Sequence, residues 1–259
     1  MNNLIIAIQT EIMKLRRSWI VTTTFGLFIF IPAMMGLLMF IAQNPHMAEK
    51  LGLIGAKAKF FSENSWLGYF EIINQVVAVM GIIAFGFVTS WVFGREYIEN
   101  TLTDLLSLPV SRSSIISAKF VIATIWCIAL SIVMYLSALV FGRIINIPGW
   151  SYEVFIGFSQ NFFITVLLTI MLNTVIGYVC GKSRGIIAPI GFVLFMVVMA
   201  QLIAMVGWGP YFPWAIPGVF SVSDSESGFH LVPMSYIILL LTSLAGIGAT
   251  YNYWNNADQ

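Results

Sequence analysis

Six stretches of this 259-residue chain are each long and apolar enough to cross a bilayer as a helix. No other feature constrains the fold as strongly. A hydrocarbon core about 30 Å thick is spanned by about 20 helical residues. The windows run over about residues 19–41, 69–92, 115–141, 154–180, 186–206 and 232–254. They are longer and more continuously apolar than the roughly 10-residue alternating strands of an outer-membrane barrel. The expected fold is therefore an all-α membrane protein of six transmembrane helices. Charged residues make up 9% of the chain, against about 25% in soluble domains.

Lysine and arginine placement orients such a bundle. With the N-terminus inside, the inner segments hold Lys14, Arg16, Arg17, Arg95, Arg112, Lys119, Lys182 and Arg184, eight cations. The outer segments hold four: Lys50, Lys57, Lys59 and Arg143. This favours both termini in the cytoplasm of a cell-membrane protein. The first apolar run starts too late and runs too long for a cleaved signal, so it is expected to be a retained span. Before it, Leu4, Ile5, Ile8, Ile12 and Leu15 share one helical face and Asn3, Thr10, Lys14 and Arg17 the other. That pattern fits an interfacial helix ending in a basic cluster, and equally a basic flank that only sets topology.

The longest charged stretch between spans is 94–120, GREYIENTLTDLLSLPVSRSSIISAKF. From Glu96 to Leu108 its residues sort into a polar arc (Glu96, Glu99, Asn100, Thr103, Asp104, Ser107) and an apolar arc (Ile98, Leu102, Leu105, Leu106, Leu108). Leu108-Pro109 then stops the helix, and Ser111-Arg112-Ser113-Ser114 opens span three. A short helix lying on the inner membrane surface with an acidic face suits docking of a soluble partner. A linker without a partner fits the same pattern.

Chemistry of its own is poorly supported. Gly177-Tyr178-Val179-Cys180-Gly181-Lys182-Ser183 has three residues between its glycines where a phosphate loop needs four, and it closes an apolar span. No span holds a histidine, and Asp104, Asp224 and Asp258 all lie outside the spans, so intramembrane protease chemistry is not indicated. His46 and His230 fall in outer loops. Cys127 and Cys180 fall in different spans, where neither a disulfide nor a zinc site is expected. The chain does not read as an enzyme, and nothing in it suggests nucleic-acid binding.

Polar residues inside the spans are few. Glu71, Asn74 and Gln75 share a face near the outer end of span two. Gln160 and Asn161 lie in the outer part of span four, Asn173 deeper, and Gln201 late in span five. Their alternatives are a transport path or hydrogen bonding between helices. Between spans five and six, Trp208, Pro210, Tyr211, Phe212, Pro213, Trp214 and Pro217 suggest short broken helices forming an outer re-entrant region.

The interfacial segment with its Lys-Leu-Arg-Arg-Ser-Trp, the six spans, the 94–120 segment and the Pro/Trp-rich loop together resemble the ABC-2-type transporter permeases. The nearest likeness is to the bacitracin-resistance and lantibiotic-immunity exporters. The Gly-Arg-Glu, Thr-Leu, Leu-Pro-Val-Ser-Arg and Ala-Lys elements of 94–120 carry the likeness most sharply; elsewhere it lies in layout. The resemblance implies one transmembrane domain over 1–259, two copies of which work with two copies of a separate ATPase that binds ATP and Mg. It implies a coupling helix between spans two and three, with Arg95, Glu96, Glu99, Asp104 and Arg112 facing the ATPase. The turn 181–185 would be a second, weaker contact. Glu71, Asn74, Gln75, Asn161 and Asn173 are then candidates for the substrate path. A peptide antibiotic or another amphipathic compound is the expected cargo. Sodium or small-solute export, and an ATPase-independent channel or receptor, are the alternatives.

Overall fold

The computed structural model describes residues 2–16, 18–43, 65–101, 110–222 and 231–256. Every regular element among them is helical: α1 Asn2–Arg16, α2 Trp19–Gln43, α3 Trp66–Ile98, α4 Arg112–Ile144, α5 Tyr152–Ser183, α6 Ile187–Met205, α7 Ile216–Val222 and α8 Pro233–Asn256. Two 3-10 turns, Gly209–Tyr211 and Pro213–Ala215, precede α7. Helices α2, α3, α4, α5, α6 and α8 are the six long apolar ones. Rows of exposed Leu, Ile, Val and Phe, among them Ile125, Leu136, Phe195 and Leu241, line their outer surfaces. A large exposed apolar surface on paired helices is what a lipid-embedded bundle presents.

Local sequence explains where the long helices begin. Ser65, Ser111 and Ser151 each sit just before a span in extended backbone, and each hydroxyl accepts a hydrogen bond from the amide three residues on. Three helices run well past the apolar windows. At 33, 33 and 32 residues, α3, α4 and α5 are about 50 Å long, against a hydrocarbon core of about 30 Å.

Helix α3 is the central element. In its apolar window 61% of residues are buried, against 17% for α6, which lies at the edge. α3 packs most extensively on α5, α8 on α5, and α1 and α2 on α4. Glycines set the closest approaches. A side chain at Gly86 of α3 would meet Val193 of α6 at 2.7 Å, and one at Gly246 of α8 would meet the Val175 backbone of α5 at 2.8 Å. At the end away from α1, aromatic rings clamp α3 to α5, with Phe70 and Phe158 stacked at 3.9 Å between centroids.

One expectation needs correction. No separate surface helix begins at Glu96. Helix α3 continues through Arg95 and Glu96 to Ile98, and Asn100, at φ 54°, ends it in the left-handed region. The polar arc assumed a solvated helix, whereas tertiary ion pairs hold Glu96 inside the bundle. The remainder of the expected coupling helix, Asp104 included, lies outside the described residues. The sequence pattern of α1 marks an apolar and a polar face but not the side that meets the bundle. Ala7 and Glu11 are buried and Leu15 is half-buried, while Ile5, Ile6, Ile12 and Met13 are exposed.

Candidate functional site

Four charges from three helices converge at the α1 end of the bundle. Lys119 of α4 has no solvent exposure and Glu96 of α3 has 2%. Lys119 Nζ donates to both Glu96 carboxylate oxygens at 2.8 Å and to the Val92 carbonyl at 2.6 Å. From α1, Lys14 Nζ donates to Glu96 Oε1 and to Glu11 Oε1, each at 2.8 Å. Glu11 Oε1 lies 3.6 Å from Lys119 Nζ. Two carboxylates and two ammonium groups thus cancel, and each has an opposite charge within bonding distance. That is the condition under which charges tolerate removal from water. Burial disfavours the charge on Lys14, but Glu96 and Glu11 outweigh it and raise its pKa above the ordinary lysine value.

Of the other expected coupling residues, Arg95 and Glu99 adjoin this cluster, Arg112 does not, and Asp104 lies outside the described residues. The Arg95 guanidinium donates to Glu99 at 2.9 Å and to the Lys14 carbonyl at 3.2 Å, and lies 5.9 Å from the centre of the Trp91 ring. Glu99 is exposed at the end of α3. Arg112 donates to the carbonyls of Trp254 and Asn255 at 3.2 and 3.4 Å, capping the C-terminal end of α8. The 181–185 turn abuts α3: a side chain at Gly94 would come within 3.0 Å of the Gly185 carbonyl oxygen. Gly177 to Ser183 is continuous helix, closed by left-handed Arg184. The structure therefore brings Arg95 and Glu96 together with Lys14, leaves Glu99 at the surface, and sets Arg112 apart at α8.

The polar residues within the spans divide among four places. Gln75, with Gln201, Trp214 and Ser221, lines a mostly apolar cavity of about 370 Å³ between α3, α6 and α7. Glu71, Asn74 and Asn161 line a second cavity of about 260 Å³ between α3 and α5, together with Glu153 and Ser221. Asn173 belongs to neither. Its amide donates to the Thr169 carbonyl at 2.9 Å, and its oxygen faces Gly86, so it packs a helix crossing. Gln160 is exposed.

Known proteins point the same way. The sequence pattern of the ABC-2 family transporter proteins matches residues 7–200, about three-quarters of the chain, from within α1 to within α6. The chain belongs to the ABC-2 transporter family. It is 30% identical over 185 residues to the bacitracin transport permease protein of Bacillus licheniformis, covering 71% of this chain and 88% of that protein. This ABC-2 permease is thus a multi-pass membrane transport protein. Sequence reasoning missed the role of Glu11, Lys14 and Lys119 in its charge cluster. The available signal was an excess of charge at helix ends that pure topology does not need: a lysine three residues after a glutamate in α1, and a lysine inside the third apolar window. It also missed Glu153 and Trp214 as cavity walls.

Proposed function

We propose that this ABC-2 permease is the membrane subunit of an ATP-driven exporter that confers resistance to a peptide antibiotic such as bacitracin, or to another amphipathic compound. Two copies work with two copies of a separate ATPase, which binds ATP and Mg. The observation that carries this reading is the similarity to a bacitracin transport permease across 88% of that protein's length. Both termini lie in the cytoplasm, and the end of the bundle bearing α1 is the ATPase side. The short helices between α6 and α8 form the outer re-entrant region.

Within that frame the coupling residues take two roles. Glu99, Asp104 and Arg112 face the ATPase. Arg95 and Glu96 instead transmit its movement, because Arg95 bonds the α1 backbone and Glu96 is the shared partner of Lys14 and Lys119. The cavity of about 370 Å³ between α3 and α6 is the cargo path. Its mostly apolar walls and two glutamines suit an amphipathic ligand better than a highly charged one.

The test is a strain lacking this permease. Its sensitivity to bacitracin should rise, and the tagged permease should co-purify with a protein bearing a phosphate-binding loop. A strain with unchanged antibiotic sensitivity and a permease that purifies without an ATPase would sink the reading. Sodium or other small-solute export is the second reading, favoured by the two carboxylates Glu71 and Glu153 on the outer cavity.

A further inference from the structure

The four charges at the α1 end divide in a way that holding helices together does not by itself require. Glu11 and Lys14 both belong to α1, three residues apart, and pair with each other at 2.8 Å. Glu96 and Lys119 belong to α3 and α4 and also pair at 2.8 Å. Each pair is neutral and keeps its own ion pair without the other. Across the boundary run Lys14 to Glu96 at 2.8 Å, Lys119 to Glu11 at 3.6 Å, and Arg95 to the Lys14 carbonyl at 3.2 Å.

Separating a buried pair strands a charge, which is costly. A cut between two neutral pairs strands none. The two halves also suit separation. Lys119 retains the Val92 carbonyl in addition to Glu96, so the span half stays satisfied. The Lys14 side chain is already 24% exposed, so the α1 half borders water. Ile5, Ile6, Ile12 and Met13 form an exposed apolar arc on the opposite side of α1, a seat for the helix in the interface whether or not it touches the bundle.

We infer that the cluster is a charge-balanced, detachable joint between α1 and the ends of α3 and α4: each half is neutral by itself, and α1 leaves carrying its own counterion pair, Glu11 and Lys14. The use of the joint in transport rests on the exporter reading above. The joint itself is a property of the permease alone.

A cysteine at Ala7 reports docking, because Ala7 is 8% exposed and lines a small gap with Ile115 and Ala118 of α4. In Ala7→Cys permease in nanodiscs, with Cys127 and Cys180 replaced by alanine, the rate of labelling by a charged maleimide measures undocking. Lys14→Met and Glu11→Gln, each stranding a charge, should speed labelling by about tenfold. The double variant Glu11→Gln/Lys14→Met should return to within about threefold of the parent, and Lys14→Arg should stay near it. A double variant at least as reactive as the faster single would overturn the joint, as would rates that no variant moves. Should a single variant fail to elute as one species, Glu11→Lys/Lys14→Glu replaces it. This swap keeps α1 neutral but sets like charges across the boundary, so labelling should speed up, and an unchanged rate overturns the proposal. No ATPase, nucleotide or cargo enters the assay, so its failure leaves the exporter reading standing. Unchanged antibiotic sensitivity of the deletion strain would in turn leave this assay untouched.

Discussion

Lys119 Nζ lies 2.8 Å from both carboxylate oxygens of Glu96, and the two side chains are 0% and 2% exposed. A buried pair of this kind is weak evidence of net stabilisation but strong evidence of interdependence. Lys119→Met leaves two carboxylates facing one ammonium and should cost on the order of 3–5 kcal/mol. Removing both members, Glu96→Leu with Lys119→Met, leaves the Glu11–Lys14 pair intact and should cost less than the single change. Thermal unfolding of the purified permease, followed by monodisperse elution, ranks the two variants. A double variant less stable than Lys119→Met contradicts the interdependence.

Lys14 gives the α1 contact a defined dependence on pH. Its pKa is raised in the folded protein by Glu96 and Glu11, so the stabilisation is fully present below the unfolded lysine value. It is lost only as pH rises through the higher folded value. The stability difference between the parent and Lys14→Met should stay flat from neutral pH to about 10, then shrink. Lys14→Arg should extend the flat region. Melting temperatures across that range supply the check.

Two glycines of α8 make a matched pair. A Cβ at Gly246 meets the Val175 backbone at 2.8 Å, whereas one at Gly248 meets nothing within 4 Å. Backbone yields poorly, so Gly246→Ala should destabilise by about 1–3 kcal/mol. Gly248→Ala should be neutral or slightly stabilising, from its helix propensity. Parallel unfolding curves separate them, and equal effects would contradict the close crossing of α5 and α8.

Arg112 holds the last turn of α8 through the Trp254 and Asn255 carbonyls. Arg112→Ala should cost about 1 kcal/mol locally and fray that turn. Faster amide exchange confined to residues 250–256, with the remainder of α8 unchanged, is the expected outcome. Unchanged exchange there would show that the cap contributes nothing in solution.

Gln75 and Gln201 face one cavity from α3 and α6. Under the export reading, replacing either with leucine should lower bacitracin resistance by about three- to tenfold without lowering expression. The same change at Gln160, which is exposed, should have no effect. Equal resistance in all three strains would move the cargo path elsewhere.

The spans were legible because lipid imposes one rule on every residue of a window: six apolar stretches became six long helices. Helix starts were legible at Ser111, where a capping hydroxyl precedes the apolar run. The 94–120 segment was misread at Glu96 because amphipathic sorting treats every charge as solvated. A glutamate that finds Lys119, 23 residues along the chain, and Lys14, 82 residues before it, gives no local sign of burial. Likewise the i, i+3, i+4 set of Glu71, Asn74 and Gln75 shares a helix face, yet its members divide between two cavities, because α5, α6 and α7 partition that face. Periodicity shows which side of a helix a residue occupies, and neighbours distant in sequence decide what it meets there.

Helix α3 contains no proline over its 33 residues and passes a close crossing at Gly86, against Val193 of α6 and Asn173 of α5. From Gly86 to Glu96 is about 15 Å of helix, and from Gly86 back to Trp66 is about 30 Å. The arms of a stiff rod turning about that crossing differ in length by a factor of about two. A tilt that moves the charge cluster by one ångström therefore sweeps the Trp66 end, with its aromatic clamp and Glu71, through about two. A pivot at that glycine would give the two ends of one helix unequal travel.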